Sequence, residues 1–258
     1  MKDEGLLQKL ALPFVLLTMC ITWTSWWTIV IANHYGYLAF GTPLMMGLYT
    51  LGVIAPAIAS IAVILHTNTM SGKELCKELF NFKQPIRFYM MIIIINGLAY
   101  ILPLLLDRAT IIAPIYMALL LIPFNLIGGG LEEIGWRFLL QPALEKKFNF
   151  TIATIVTAAI WALWHLPLFF MIGTNQASWN YGAFVILILG MSFLLASLYK
   201  VTKSIFVCIL FHTLWNATGE SIAINMEISV TIIMSISLIL ISFLLLKMVK
   251  NTKLRNIE

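Results

Sequence analysis

"GGGLEEIGWRF", residues 128–138, lies between "APIYMALLLIPFNLI" (113–127) and "LLQPALEKKF" (139–148), so two adjacent carboxylates and an arginine stand inside a largely apolar run. A charge at mid-membrane costs roughly 2.5–3.5 kcal/mol on insertion scales, so three unpaired charges would cost roughly 8 kcal/mol. Glu133 and Arg137 are four apart with the acid first, the order in which a helix brings the two onto one face as a pair. Glu132 points about 100° away from that face. The pattern is one neutralised pair plus one carboxylate left for another task. The run from 112 to 144 is also too long for a straight span, since its length is about 50 Å as a helix. Each of Gly128, Gly129 and Gly130 weakens a helix by about 1 kcal/mol relative to alanine, which predicts a kink or unwound turn before Glu132.

The surrounding chain identifies the solvent. Of its 258 residues 61% are hydrophobic and 10% charged, and the mean hydropathy is +0.95. Soluble domains carry roughly 25% charged residues. Apolar runs predict eight membrane spans at about 12–32, 43–66, 88–106, 112–144, 151–171, 180–199, 204–219 and 228–248. The fold class is therefore all-α, a single integral membrane domain over 1–258. The first run is too long for a signal-peptide core and lacks a small-x-small cleavage site, so it reads as a retained helix.

Charge supplies the orientation. With the N-terminus inside, the inner segments hold Lys2, Lys9, Lys73, Lys77, Lys83, Arg87, Lys146, Lys147, Lys200, Lys203, Lys247, Lys250, Lys253 and Arg255, fourteen of the sixteen bases. Only Arg108 falls in an outer loop, and Arg137 lies within a span. That asymmetry predicts both termini to be cytoplasmic, and it accounts for the net charge of +5 without nucleic acid. Leu75, Leu79 and Phe82 at helical spacing predict a short amphipathic helix on the inner surface. Cys20, Cys76 and Cys208 are scattered without a C-x-x-C, so they read as apolar packing rather than a disulfide or cysteine-zinc framework.

Depth gathers the polar groups. Counting from the inner end of each helix at about 1.5 Å per residue places Glu132 and His165 roughly 20 Å deep, Asn216 roughly 18 Å and His212 roughly 12 Å. Three separate helices thus bring ionisable or polar groups to similar depth. His34 and His66 fall at span ends, where an interfacial role suffices. Pro167 loosens the helix around His165, and His212 and Asn216 share a face at i and i+4. Glu132, His165 and His212 could coordinate Zn2+ or another divalent metal with an open position for water. They could equally work without metal, Glu132 deprotonating a water while His212 and Asn216 stabilise an oxyanion. The tryptophans, among them Trp161 and Trp164, read as packing and interface residues.

"EEIGWR" (132–137), "WALWH" (161–165) and "HTLWN" (212–216), in this order, resemble the signature of the CPBP intramembrane proteases, also called the Abi family, which includes CAAX prenyl endopeptidases and bacteriocin-processing or self-immunity proteins. The likeness covers about residues 118–218, and that family has an eight-helix membrane core. It implies an endopeptidase in which Glu132 activates water with help from His165, His212 and Asn216 form the oxyanion site, and Glu133 and Arg137 support the first motif. It also implies a peptide or protein substrate, lipidated or a bacteriocin precursor, reached within membrane lipid. Trp161 departs from the family, which usually has Phe there. A non-catalytic immunity or interaction protein is the competing reading. The site reads as cutting near the cytoplasmic side. Twelve lysines against four arginines, with abundant isoleucine, hint at a bacterial cell membrane.

Overall fold

The computed structural model describes the backbone of residues 4–255 and the side chains of residues 9–248. Lys2 lies outside the described residues, as do the side chains of Lys250, Lys253 and Arg255, so those four inner charges have no structural account. In chain order the main elements are α1 (Glu4–His34), α2 (Pro43–His66), α3 (Gly72–Leu79), α4 (Ile86–Leu105), β1 (Ala109–Ile111), α5 (Tyr116–Leu120), α6 (Ile122–Ile127), α7 (Glu133–Gly135), α8 (Gln141–Glu145), α9 (Phe150–Trp164), α10 (Tyr181–Thr202), α11 (Ile205–Gly219), β2 (Ile222–Ile224) and α12 (Ile228–Arg255).

This is a helical integral membrane protein. Among the described residues six helices are long and apolar enough to cross a membrane, namely Lys9–His34, Pro43–His66, Ile86–Leu105, Phe150–Phe170, Tyr181–Thr202 and Ile228–Met248. The other two expected spans take different forms. The 112–144 run is a chain of short helices and turns, and 204–219 is the fifteen-residue α11, about 22 Å long. Neither is a continuous helix long enough to count as a plain span.

Tyr181–Thr202 is the most enclosed of the six, packed along α12 and α9. Its close approach to α12 needs a glycine, since a Cβ at Gly190 would stand 2.6 Å from the Ser235 Cα. Some polar side chains inside the bundle bond to backbone, as a dry interior favours: Thr22 donates to the Gly52 carbonyl, and Ser242 donates to that of Phe193, each at 2.9 Å.

Three local expectations are corrected. The surface helix ends at Leu79 after a Ser71–Glu74 capping box, so Phe82 lies beyond it and is exposed while Leu75 is buried. Cys20 and Cys76 are exposed and only Cys208 is buried, because the first two sit on faces that turn away from the bundle. The all-α class also admits one small exception, an antiparallel two-stranded ladder of β1 and β2 with Thr110 opposite Ala223. Three-residue strands are too short to carry a readable alternation.

Candidate active site

The helix breaks where the glycines stand. α6 stops at Ile127, a 3-10 turn covers Gly130–Glu132, α7 is a single turn, and a π-helical turn follows over Trp136–Leu140 before α8. The glycines are needed chiefly for close approach to α11. A Cβ on Gly129 would meet the Asn216 amide nitrogen and lie 3.1 Å from His212 Nε2, and one on Gly130 would meet the Thr213 hydroxyl. The broken turns free backbone groups inside the membrane, and a neighbouring helix answers one of them: Ser60 on α2 donates to the Ile134 carbonyl at 2.9 Å. Extra-residue turns of this kind recur at functional sites.

Glu133 and Arg137 pair as their spacing predicts, with Nε donating to Oε2 at 3.1 Å, and both are fully buried. Arg137 also donates to Ser192 Oγ at 3.2 Å and its guanidinium lies 5.2 Å from the centre of the Trp161 ring, a cation–π distance. The other oxygen of Glu133 was not expected to have a task. It accepts from His212 Nδ1 at 2.8 Å, so one carboxylate ties the broken segment both to itself and to α11. Sequence reasoning turns Glu132 toward the histidines; the structure gives that hydrogen bond of His212 to Glu133, because α11 crosses on the face where Glu133 points.

Glu132 is held by indoles. Its Oε2 accepts from Trp161 Nε1 at 2.8 Å and from Trp136 Nε1 at 3.3 Å. Among the described residues Oε1 has no hydrogen-bond partner, and it is not sealed away from the neighbouring cavity. His165 caps α9, and its Nδ1 lies 2.9 Å from the Trp161 carbonyl. A carbonyl only accepts, so Nδ1 carries hydrogen and the lone pair of the neutral ring sits on Nε2. Glu132, His165, His212 and Asn216 all line one cavity of about 640 Å³. Glu133 and Arg137 do not reach it and stand behind.

The donors are chemically suited to a divalent metal, since Nε2 of each histidine is uncommitted. Among the described residues, however, no three His, Cys, Asp or Glu side chains are grouped so as to hold an ion.

The cavity is walled by the ends of particular helices. Phe40 comes from the α1–α2 connection, Asn175 and Gln176 from a turn between α9 and α10, and Glu220 and Met226 from the chain after α11. Following α9, α10 and α11 from end to end, Asn175, Gln176 and Glu220 lie away from Lys147 and Lys203, which sit at the other ends of these helices.

Residues 113–218 match the family model described as type II CAAX prenyl endopeptidase Rce1-like, a stretch that contains all six residues singled out in the sequence. The chain is also 28% identical over 244 residues to the CAAX prenyl protease 2 of Methanococcus maripaludis, an alignment covering 83% of this chain and 85% of that relative. Both matches are to CAAX prenyl endopeptidases, the group that the three motifs resemble.

Two indoles that sequence reasoning does not place at the site hold Glu132: Trp161, read there as packing, and Trp136, given no role there. A signal for Trp136 was present, since it stands four residues after Glu132 and so on the same helix face. For Trp161 the signal was its replacement of the family's usual Phe. An indole adds the N–H that a phenyl ring lacks, and the structure aims that N–H at the carboxylate.

Proposed function

We propose that the protein is an intramembrane endopeptidase in which Glu132 activates the attacking water. The observation that supports this reading most strongly is the unequal treatment of the two oxygens of Glu132: one is clamped by two indoles, the other is left toward a cavity that His165, His212 and Asn216 also line. A general base needs that combination of fixed position and open lone pair. Eight passes with both termini cytoplasmic, in a bacterial cell membrane, fit the charge pattern, α11 and the broken segment supplying the two incomplete crossings.

The chemistry follows from the groups present. Glu132 takes a proton from water as the oxygen adds to the scissile carbonyl carbon. The resulting oxyanion is met by the Asn216 amide and by His212 Nε2, which donates when the ring carries hydrogen on both nitrogens, the form whose charge Glu133 opposes. The C–N bond then breaks as Glu132 returns the proton to the leaving amine. His165 Nε2 orients the water. The substrate is a peptide or protein segment, and a lipid chain on it or its being a bacteriocin precursor is compatible with the apolar cavity walls.

The test is to incubate purified protein in liposomes with internally quenched randomised decapeptides and to locate the cut bonds by mass spectrometry. Wild-type protein is expected to cut, and His165→Ala and Asn216→Ala to cut at least tenfold more slowly. Equal cutting by all three would overturn the assignment. A non-catalytic immunity protein would instead cut nothing while still retaining its partner.

A further inference from the structure

Between the end of α4 and the start of α12 a second cleft, of about 270 Å³, opens with no lining residue in common with the cavity beside Glu132. Pro103, Val230 and Met234 form its buried floor, and Leu106 and Ile233 stand exposed at its mouth. The two helices supply Ile86–Leu105 and Ile228–Met248, both long and apolar enough to cross a membrane. An exposed apolar groove between two such spans faces hydrocarbon, so an acyl chain and not water fills it.

Charge marks one end of the cleft. Arg108 lines it three residues beyond the end of the first span, and Glu227 immediately precedes the second. Their side chains are half-exposed, with Arg108 Nη1 standing 3.9 Å from Glu227 Oε2. Charge-assisted hydrogen bonds of this kind are about 2.7–2.9 Å long, so the pair leaves the donors of one and the acceptor of the other available. Both partners are nonetheless fixed in place. The Arg108 N–H donates to the Pro103 carbonyl at 2.8 Å, and the Arg108 carbonyl accepts from the Asn225 N–H at 2.9 Å. The Asn225 side-chain amide donates to Glu227 Oε1 at 2.9 Å, which leaves Oε2 toward the guanidinium.

The ends of membrane spans lie at the level of lipid headgroups. A guanidinium receives phosphate through two parallel N–H donors, and a carboxylate beside it receives a primary ammonium. Asp107, next in the chain to Arg108, is exposed as well. One cation therefore stands among two carboxylates, a balance that favours a headgroup carrying both signs over a purely anionic one.

We infer that this cleft binds one zwitterionic aminophospholipid, phosphatidylethanolamine, with its phosphate on Arg108, its ammonium on Glu227 and an acyl chain along Pro103, Val230 and Met234. The site is independent of the chemistry at Glu132.

Native mass spectrometry of the full-length protein tests it, with phosphatidylethanolamine, phosphatidylcholine and phosphatidylglycerol of identical acyl chains added to the micelles in equal amounts. One phosphatidylethanolamine per chain is expected to be retained at least about fivefold over either competitor, since choline has no N–H to donate and glycerol no cation. Arg108→Ala and Glu227→Gln should each lower that retention at least about fivefold, the scale of a lost charge-assisted hydrogen bond. Ile233→Trp, which covers the mouth and leaves both charges in place, should lower it likewise. Lys83→Ala, at the other end of α4, should keep it in full, and all four variants should keep the wild-type Tm because the replaced side chains are not buried. Equal retention of the three lipids, or preference for either competitor, overturns the aminophospholipid. Undiminished retention in Arg108→Ala and Glu227→Gln overturns the site.

Discussion

Trp161 Nε1 donates to Glu132 Oε2 across 2.8 Å, from a helix twenty-nine residues further along the chain. The bond fixes the carboxylate from outside its own segment and couples α9, which carries His165, to the broken turn that carries Glu132. A hydrogen bond to a charged group contributes about 1.5–3 kcal/mol.

Trp161→Phe keeps the aromatic packing and removes only the donor. We predict a fall in kcat of roughly tenfold or more with KM changed by less than about threefold, since 1.4 kcal/mol corresponds to a factor of ten. A loss confined to KM would show that the indole serves substrate packing instead.

Arg137→Leu is predicted to act on stability. It leaves Glu133 a buried carboxylate with only His212 as partner, and breaking a buried pair in this way costs about 3–5 kcal/mol. Thermal unfolding in detergent should show a lower Tm. The double variant Arg137→Leu with Glu133→Leu should recover part of the loss, because no unpaired charge then remains.

Gly129→Ala puts a methyl against Asn216 and His212. The expected result is at least a tenfold loss of turnover with little change in Tm, as Asn216 and His212 are pushed aside while the bundle stays packed. Gly97→Ala, where the added Cβ meets nothing, should leave both unchanged.

Chelation separates the two hydrolytic chemistries that the donor set allows. With no three ligating side chains gathered among the described residues, turnover is expected to survive dialysis against a chelator within about twofold. Roughly stoichiometric metal by elemental analysis, lost together with activity, would require Glu132, His165 and His212 to close on an ion.

Much of the site was legible because membranes make polar residues conspicuous. The i, i+4 spacing of Glu133 and Arg137 predicted their pair, the three glycines predicted the break, and counting rise along each helix brought His165, His212 and Asn216 to the level of Glu132. What spacing does not contain is the rotation of one helix against another. That rotation sends His212 to Glu133, where the sequence pointed it at Glu132, and brings the Trp161 indole onto Glu132. Hydropathy overstates how continuous the spans are, since it counts apolar residues in the 112–144 run without sensing that its backbone is broken. The β1–β2 ladder was illegible for the opposite reason: "SIAIN" is too short to show a period, and its pairing partner lies more than a hundred residues away.

The most direct test of the account is turnover of the quenched decapeptide pool by purified wild-type and Glu132→Gln protein in liposomes. Removing a general base is worth roughly 10²–10⁴-fold, so the account predicts that Glu132→Gln, folded and with an unchanged Tm, loses at least about a hundredfold in kcat. Turnover by Glu132→Gln within a few-fold of wild type would contradict it.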